Sequence, residues 1–234
     1  MSSIAWLSDD ESAAFPPVNR ALAEPDGLLA VGGTLSAKRL VVAYEHGVFP
    51  WYAEGQPVLW WSPDPRAVLY PPELRVSRSL RKRLRNAGIE TRLDTAFADV
   101  IRACSAPRDS GDGTWLTPEM IAAYSELHAR GLAHSVESWR GTELVGGLYG
   151  VRLGRVFFGE SMFSRTPDAS KIALVRLIEE AAARGIVLID CQVASAHLQS
   201  LGSRSIPRVD FIALLAQHCR PHQPGSWAQG QSTP

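Results

Sequence analysis

Long apolar runs are missing from this chain of 234 residues. No stretch approaches the roughly 20 consecutive apolar residues that a membrane-spanning helix requires, and the first residues lack a basic region followed by an apolar core, so neither a membrane protein nor a secretory signal is expected. Cysteine is scarce. Cys104, Cys191 and Cys219 are odd in number and show no CxxC spacing, which argues against a disulfide framework and a zinc site and fits a reducing compartment. No glycine-rich GxGxxG turn opens a helix after a strand, and there is no P-loop. No His/Cys cluster suggests a metal, and no Ser-His-Asp set stands in a recognisable frame. Net charge is absent too: 24 basic residues balance 24 acidic ones, so overall charge selects no partner.

What is present is ordinary globular composition, 45% hydrophobic and 21% charged, enough to bury a sizeable core. The protein is expected to be soluble and cytoplasmic. Charge is uneven along the chain. Residues 1–72 carry eight acidic and four basic side chains, whereas residues 75–108 carry nine basic and three acidic. Within the latter, Arg75, Arg78, Arg81, Lys82, Arg83 and Arg85 follow one another without an acidic interruption. On a helix, Arg78, Lys82 and Arg85 share a face, as do Arg81 and Arg85. Such a run is either a solvated face or a phosphate-binding one, and the lack of alternating sign favours phosphate.

Turn formers and aromatics dominate the first 72 residues, and Pro71-Pro72 marks the best boundary. The expected division is an N-terminal domain over 1–72, a catalytic domain over 73–220 and a disordered tail over 221–234, rich in Pro, Gly, Gln and Ser. Ser36 is placed to cap a helix from Ala37, closed by Gly47. The pattern predicts helices over 77–86, over 95–104 capped by Asp94, and from Thr117-Pro118-Glu119 to Arg130. Three strands follow (135–139, 144–151 and 155–162), joined by hairpin turns. A long helix over 169–184, a strand over 187–191 and helices over 195–201 and 209–218 complete the order. The fold class is α+β: a small N-terminal α/β domain, then a mostly antiparallel sheet under helices in the layout of the Gcn5-related N-acetyltransferases. That layout alone does not fix the chemistry.

Four groups of residues invite a chemical reading. In Phe157-Phe158-Gly159-Glu160-Ser161-Met162-Phe163-Ser164-Arg165, strand alternation sets Phe158, Glu160 and Met162 on one face. A carboxylate among aromatics needs a partner, so Glu160 is either functional or the structural mate of an arginine such as Arg165. In Ile189-Asp190-Cys191-Gln192, Asp190 and Gln192 point to the same side; Asp190 is either catalytic or a cap for the next helix. Tyr44, Phe49, Trp51, Trp60, Trp61 and Trp115 are either core or a surface on which bases stack. The fourth group is the basic run.

Taken together, these residues resemble one family. Asp26-Gly27-Leu28-Leu29-Ala30-Val31-Gly32-Gly33, Gly47-Val48-Phe49-Pro50-Trp51, Leu59-Trp60-Trp61-Ser62-Pro63-Asp64-Pro65-Arg66, Gly113-Thr114-Trp115-Leu116-Thr117, His134-Ser135-Val136-Glu137, Leu144-Val145-Gly146-Gly147-Leu148-Tyr149-Gly150, the Gly159 to Arg165 run and Ile189-Asp190-Cys191-Gln192 occur in the order found in leucyl/phenylalanyl-tRNA–protein transferases. The resemblance implies transfer of Leu or Phe from an aminoacyl-tRNA to the α-amine of proteins beginning with Arg or Lys, marking them for degradation by the N-degron pathway. It implies no cofactor and no metal, and a monomer is the default. By resemblance, Gln192 positions the attacking amine with Asp190 polarising it and supporting proton removal. Glu160 suits a positive substrate group. Leu148, Phe157 and Ser161 match the donor side-chain pocket, and Tyr44, Phe49, Trp51 and Trp115 match the surroundings of the tRNA 3′ adenosine. Arg78, Arg81, Lys82, Arg83 and Arg85 would hold the tRNA backbone. Two departures stand out: Leu148 replaces a familiar methionine, and Ser195 replaces an asparagine expected to assist the carbonyl oxygen. The alternatives are an acyl-CoA-dependent N-acyltransferase and a non-catalytic RNA-binding adaptor.

Overall fold

A computed structural model describes residues 4–11, 13–106 and 116–219. The tail over 221–234 and Trp115 with its preceding Gly113-Thr114 lie outside these residues. The chain begins with β1 (Ala5–Leu7), β2 (Leu28–Gly32), α1 (Ala37–Glu45), β3 (Phe49–Pro50) and β4 (Leu59–Trp61). These strands form a four-stranded sheet in the order β1-β2-β4-β3. Next come β5 (Arg66–Leu69), α2 (Arg78–Asn86), β6 (Glu90–Leu93), α3 (Phe97–Cys104), α4 (Pro118–Ala129), β7 (Ala133–Arg140), β8 (Glu143–Leu153) and β9 (Val156–Ser164). The order closes with α5 (Ala169–Ala183), β10 (Leu188–Gln192), α6 (Ala196–Ser200), β11 (Arg204–Ile206) and α7 (Arg208–His218). The second sheet has seven strands in the order β11-β5-β10-β9-β8-β7-β6. All its pairs are antiparallel except β9 with β10, so the expected α+β fold with a mostly antiparallel sheet is the one seen.

Local chemistry explains the elements. Ser36, Ser77 and Thr117 each accept a backbone N–H three residues on and so start α1, α2 and α4. The expected cap at Asp94 is corrected. Asp94 turns away to take the Ser135 N–H and the His134 ring, and α3 starts after Ala96 without a side-chain cap, while Glu137 holds the approach to the helix by accepting from the backbone N–H groups of Thr95 and Ala96. β11 is an addition to the expected order; it is a three-residue edge strand too short to carry a periodic signal. β5 precedes Pro71-Pro72 yet pairs with β10 and β11 in the second sheet, and buried residues from both parts of the chain, Tyr44 and Trp60 with Phe158 and Phe211 among them, share one core.

The glycine-rich stretch of β8 has a packing role. A side chain at Gly150 would meet the carbonyl of Phe158 at 2.2 Å, and one at Gly146 would meet Ala169 of α5 at 2.5 Å. These glycines let β8 lie tightly between its neighbours.

Two irregularities position the site. Tyr149 pairs with Ser161 and Gly150 with Gly159, so Glu160 is an extra residue bulged out of β9. On β10, Asp190 pairs with Val68 and Gln192 with Ala67, which leaves Cys191 as the extra residue. The bulge corrects the simple alternation: Phe158 packs into one core and Met162, beyond the bulge, against the other, because one added residue reverses the phase of every later side chain. The parallel pairing of β9 and β10 stops at Phe158 and Asp190. Beyond it the strands part, and the two bulged segments face each other across the opening.

Candidate active site

The opening between β9 and β10 is a cavity of about 220 Å³. Its apolar lining is Leu148, Phe157, Met162, Leu174, Leu177, Ile189 and Leu198, and its rim carries Glu160, Ser161, Asp190, Cys191, Gln192, Ser195 and His197. A second cavity of about 250 Å³ lies beside it, lined by Phe49, Pro50, Trp51, Glu160, Cys191, Gln192 and Val193. Glu160, Cys191 and Gln192 belong to both. The partition between an apolar pocket and an aromatic one is therefore built from one carboxyl, one thiol and one amide.

Among the described residues, Glu160 has no cationic mate in direct contact. Arg165, the partner considered from sequence, donates to the Leu144 carbonyl and lies over the Phe163 ring. Instead Tyr124 donates its hydroxyl to Glu160 Oε2 at 2.7 Å, and the Tyr44 hydroxyl lies 2.7 Å from that of Tyr124. Oε1 is buried and, among the described residues, has no hydrogen-bond partner. Burial lifts the carboxyl from its ordinary 4.5 to about 7, opposed by the hydroxyls of Tyr124 and Tyr44; Asp190 adds to the rise and Arg66 opposes it. A carboxyl denied a cation lowers its cost of burial by binding a proton near neutrality. Tyr44, expected around an adenosine, belongs to this chain of hydroxyls. It is fully buried, its ring packs on Phe158 at 4.8 Å, and it lines neither cavity.

Asp190 sits in a different environment. Arg66 donates Nε to Oδ1 at 2.8 Å and Nη2 to Oδ2 at 2.7 Å, with both side chains buried. Oδ1 also accepts the backbone N–H of Gln192 at 3.0 Å. The side-chain amide nitrogen of Gln192 is buried without a partner among the described residues. Asp190, expected to polarise Gln192, meets it through the main-chain N–H, and Gln192 adopts a left-handed conformation, φ 55°, after the bulge. Nor does Asp190 cap the next helix, since Ser195 does so by accepting from the Leu198 N–H. Burial and the neighbouring Asp190 push the Cys191 thiol up to about 12, opposed by Arg66, which disfavours the reactive thiolate.

The remaining candidates fall as follows. Leu148, Phe157, Ser161 and Ser195 line the apolar cavity. Phe49 and Trp51 line the second; Trp51 is 49% exposed and braced by Trp61, whose Nε1 donates to the Trp51 carbonyl. Arg78, Arg81, Lys82, Arg83 and Arg85 all lie on α2. Among the described residues, two of them have protein partners: Arg81 donates to the Val76 carbonyl, and Arg83 lies 3.7 Å from Asp168. Sequence reasoning missed Arg66, Tyr124 and His197. Arg66 is visible only as the end of Ser62-Pro63-Asp64-Pro65-Arg66, and Tyr124 as one more apolar position of α4; nothing local marks either as part of a site. Among the described residues, no group of His, Cys, Asp and Glu is arranged to hold a metal ion, and no helix is long and apolar enough to cross a membrane.

Comparison with known proteins gives a consistent result. Residues 68–216 match the sequence model described as leucyl/phenylalanyl-tRNA protein transferase, and residues 33–64 match the one for its N-terminal domain. A protein of Thiobacillus denitrificans named leucyl/phenylalanyl-tRNA–protein transferase is 60% identical over 91% of this chain and 94% of its own. One of the same name from Azotobacter vinelandii is 61% identical over 89% and 92%. Among solved structures, a GCN5-related N-acetyltransferase from Kribbella flavida is similar with a TM-score of 0.40 at 15% identity, covering 70% of this chain and 58% of that one, a likeness of general outline that bears on nothing further.

Proposed function

The chain belongs to the leucyl/phenylalanyl-tRNA–protein transferase family, and from that premise we propose how its two cavities carry out aminoacyl transfer from tRNA to a protein. The donor's Leu or Phe side chain enters the apolar cavity under Leu148 and Phe157. The terminal adenosine stacks in the second cavity against Trp51 and Phe49. The ester between them then lies at the partition, beside Glu160 and Gln192. The acceptor is a protein with an N-terminal Arg or Lys, and the product's new bulky N-terminus marks it for degradation. The reading includes a monomer working in the cytoplasm.

The acceptor's α-ammonium has an ordinary pKa of roughly 8, close to the value of about 7 at Glu160. Glu160 Oε1 accepts a proton from the amine as nitrogen attacks the ester carbonyl. The carbon–oxygen bond to the ribose then breaks, and the proton passes to the departing ribose oxygen. An amide and a free tRNA 3′ end result, with atoms in balance. A base matched to the solution pH is the efficient one. The unpartnered amide nitrogen of Gln192 is available to donate to the developing oxyanion or hold the ester carbonyl, and Asp190 serves by fixing Gln192. The observation that carries this reading is the sharing of Glu160 and Gln192 by an apolar and an aromatic cavity. Its test is transfer of labelled Phe from Phe-tRNA to a peptide beginning with Arg. Labelled product is expected; tRNA binding without product, or acetyl transfer from acetyl-CoA in its place, contradicts the reading.

The cations of α2 hold the acceptor stem by charge, without reading its sequence. Neutralising Arg78, Lys82 and Arg85 together is expected to raise KM for Phe-tRNA and leave kcat near its original value. The salt dependence of binding should flatten by about one in log–log slope for each phosphate no longer neutralised. Binding titrations at several salt concentrations check this, and an unchanged slope removes α2 from the interface.

A further inference from the structure

The structure assigns Arg66 as a positioning residue of the transfer reaction: ion-paired to Asp190 and held between two phenyl rings, it fixes the turn that presents Gln192 and balances the charge beside Glu160. The inference rests on the transfer reading above and concerns a residue that touches neither cavity.

Every nitrogen of the guanidinium is engaged. Nε and Nη2 bind Asp190, and Nη1 donates to the Gly47 carbonyl at 3.1 Å. The Phe49 and Phe211 rings lie 4.8 and 4.6 Å from its central carbon. Gly47 and Phe49 come from the first sheet and its approach, Phe211 from α7, and Asp190 from the splayed strand β10. Arg66 thus ties the first sheet and α7 to the one strand end that reaches the reacting ester. A buried ion pair of this kind is seldom retained for stability, because well-packed apolar residues commonly serve as well. Its geometric consequence is specific. Asp190 Oδ1, held in place by Arg66 Nε, accepts the Gln192 N–H and supports a left-handed backbone that a glutamine adopts only at a cost.

The pair also acts on Glu160. The groups facing that carboxyl are Tyr44 of α1, Tyr124 of α4, Asp190 of β10 and Arg66 of β5, with Tyr149 of β8 close enough to interact. Among these, Asp190 and Arg66 carry opposite charges: Asp190 favours the protonated form of Glu160 and Arg66 the ionised form. Removing one member of the pair therefore moves the protonation of Glu160 in one direction, and removing the other moves it in the opposite direction.

The test is the pH dependence of kcat for Phe transfer in the full-length enzyme, measured for the unsubstituted protein, Asp190→Asn, Arg66→Gln, Arg66→Lys and the double variant Arg66→Met/Asp190→Asn, with folding checked by circular dichroism. Asp190→Asn should move the acid limb to lower pH and Arg66→Gln to higher pH. Each should lower kcat by about a hundredfold, the usual effect of a misplaced reacting group, with KM for Phe-tRNA unchanged. Arg66→Lys, which keeps charge but loses the fork, should hold the limb in place and still lose kcat. If Arg66→Gln fails to fold, the uncharged double variant decides the matter: its limb should return towards the original and its kcat remain low. Folded variants with coincident limbs, or losses confined to KM, overturn the assignment. An unsubstituted enzyme that transfers nothing would instead refute the transfer reading itself.

Discussion

Replacing Glu160 with glutamine is expected to abolish most transfer and, at neutral pH, to stabilise the protein. Loss of a positioned general base lowers the chemical rate by about 10²–10⁴-fold. Stability moves the other way because the carboxyl's value rises from 4.5 unfolded to about 7 folded. A group raised in the folded state contributes fully below its unfolded pKa, and that contribution is lost as pH climbs through the folded one. Glutamine cannot lose it. Allowing for partial solvent access at this half-buried site, the variant should gain about 1–3 kcal/mol above neutrality, at roughly 1.4 kcal/mol for each tenfold change in proton affinity. Urea unfolding across pH checks the sign. The two proteins should coincide in acid below the unfolded value, and the gap should open between 4.5 and about 7. A gap that is constant with pH, or a destabilised variant, would show that Glu160 is ionised and paired.

Filling the apolar cavity is the second large effect. Leu148 is buried at its wall, opposite Met162 on β9. Leu148→Trp should lower kcat/KM for Phe-tRNA about 10- to 100-fold, since burying a phenyl side chain is worth roughly 1.5–3 kcal/mol. Overpacking adds a stability cost of about 1–3 kcal/mol. Affinity for uncharged tRNA should not change, because the proposed reading seats the adenosine and acceptor stem elsewhere. Leu148→Met, nearly equal in volume, should be close to neutral. Fluorescence titration with charged and uncharged tRNA separates the two effects; equal weakening of both would place the donor side chain outside this cavity.

The strands and helices that bear these residues are readable because their signals are local. Ser36, Ser77 and Thr117 announce helices within four residues, and the turns at Gly141 and Gly154 have the positive φ that hairpins favour. The seams of the site are not readable. A bulge is a property of two strands in register, so nothing within the Gly159 to Arg165 run reveals that Glu160 is the added residue. Arg66 and Asp190 are 124 positions apart, and Tyr124 and Glu160 are 36 apart. Assigning proton removal to Asp190 rests on family resemblance and on its place at a strand end, and neither reveals its mate. The three-dimensional arrangement favours the opposite division of labour: the aspartate clamped by a guanidinium holds its neighbour in place, and the glutamate, which among the described residues meets hydroxyls and no cation, is lifted to a value suited to proton transfer.

The most direct measurement is a structure of the enzyme with a non-hydrolysable Phe-adenosine analogue and a peptide beginning with Arg. The account predicts the phenyl ring between Leu148 and Phe157, the adenine against Trp51, and the peptide's α-nitrogen within hydrogen-bond reach, about 3 Å, of Glu160 Oε1. An α-nitrogen bound to Asp190 in place of Arg66, or a phenyl ring lodged against Trp51, would contradict it.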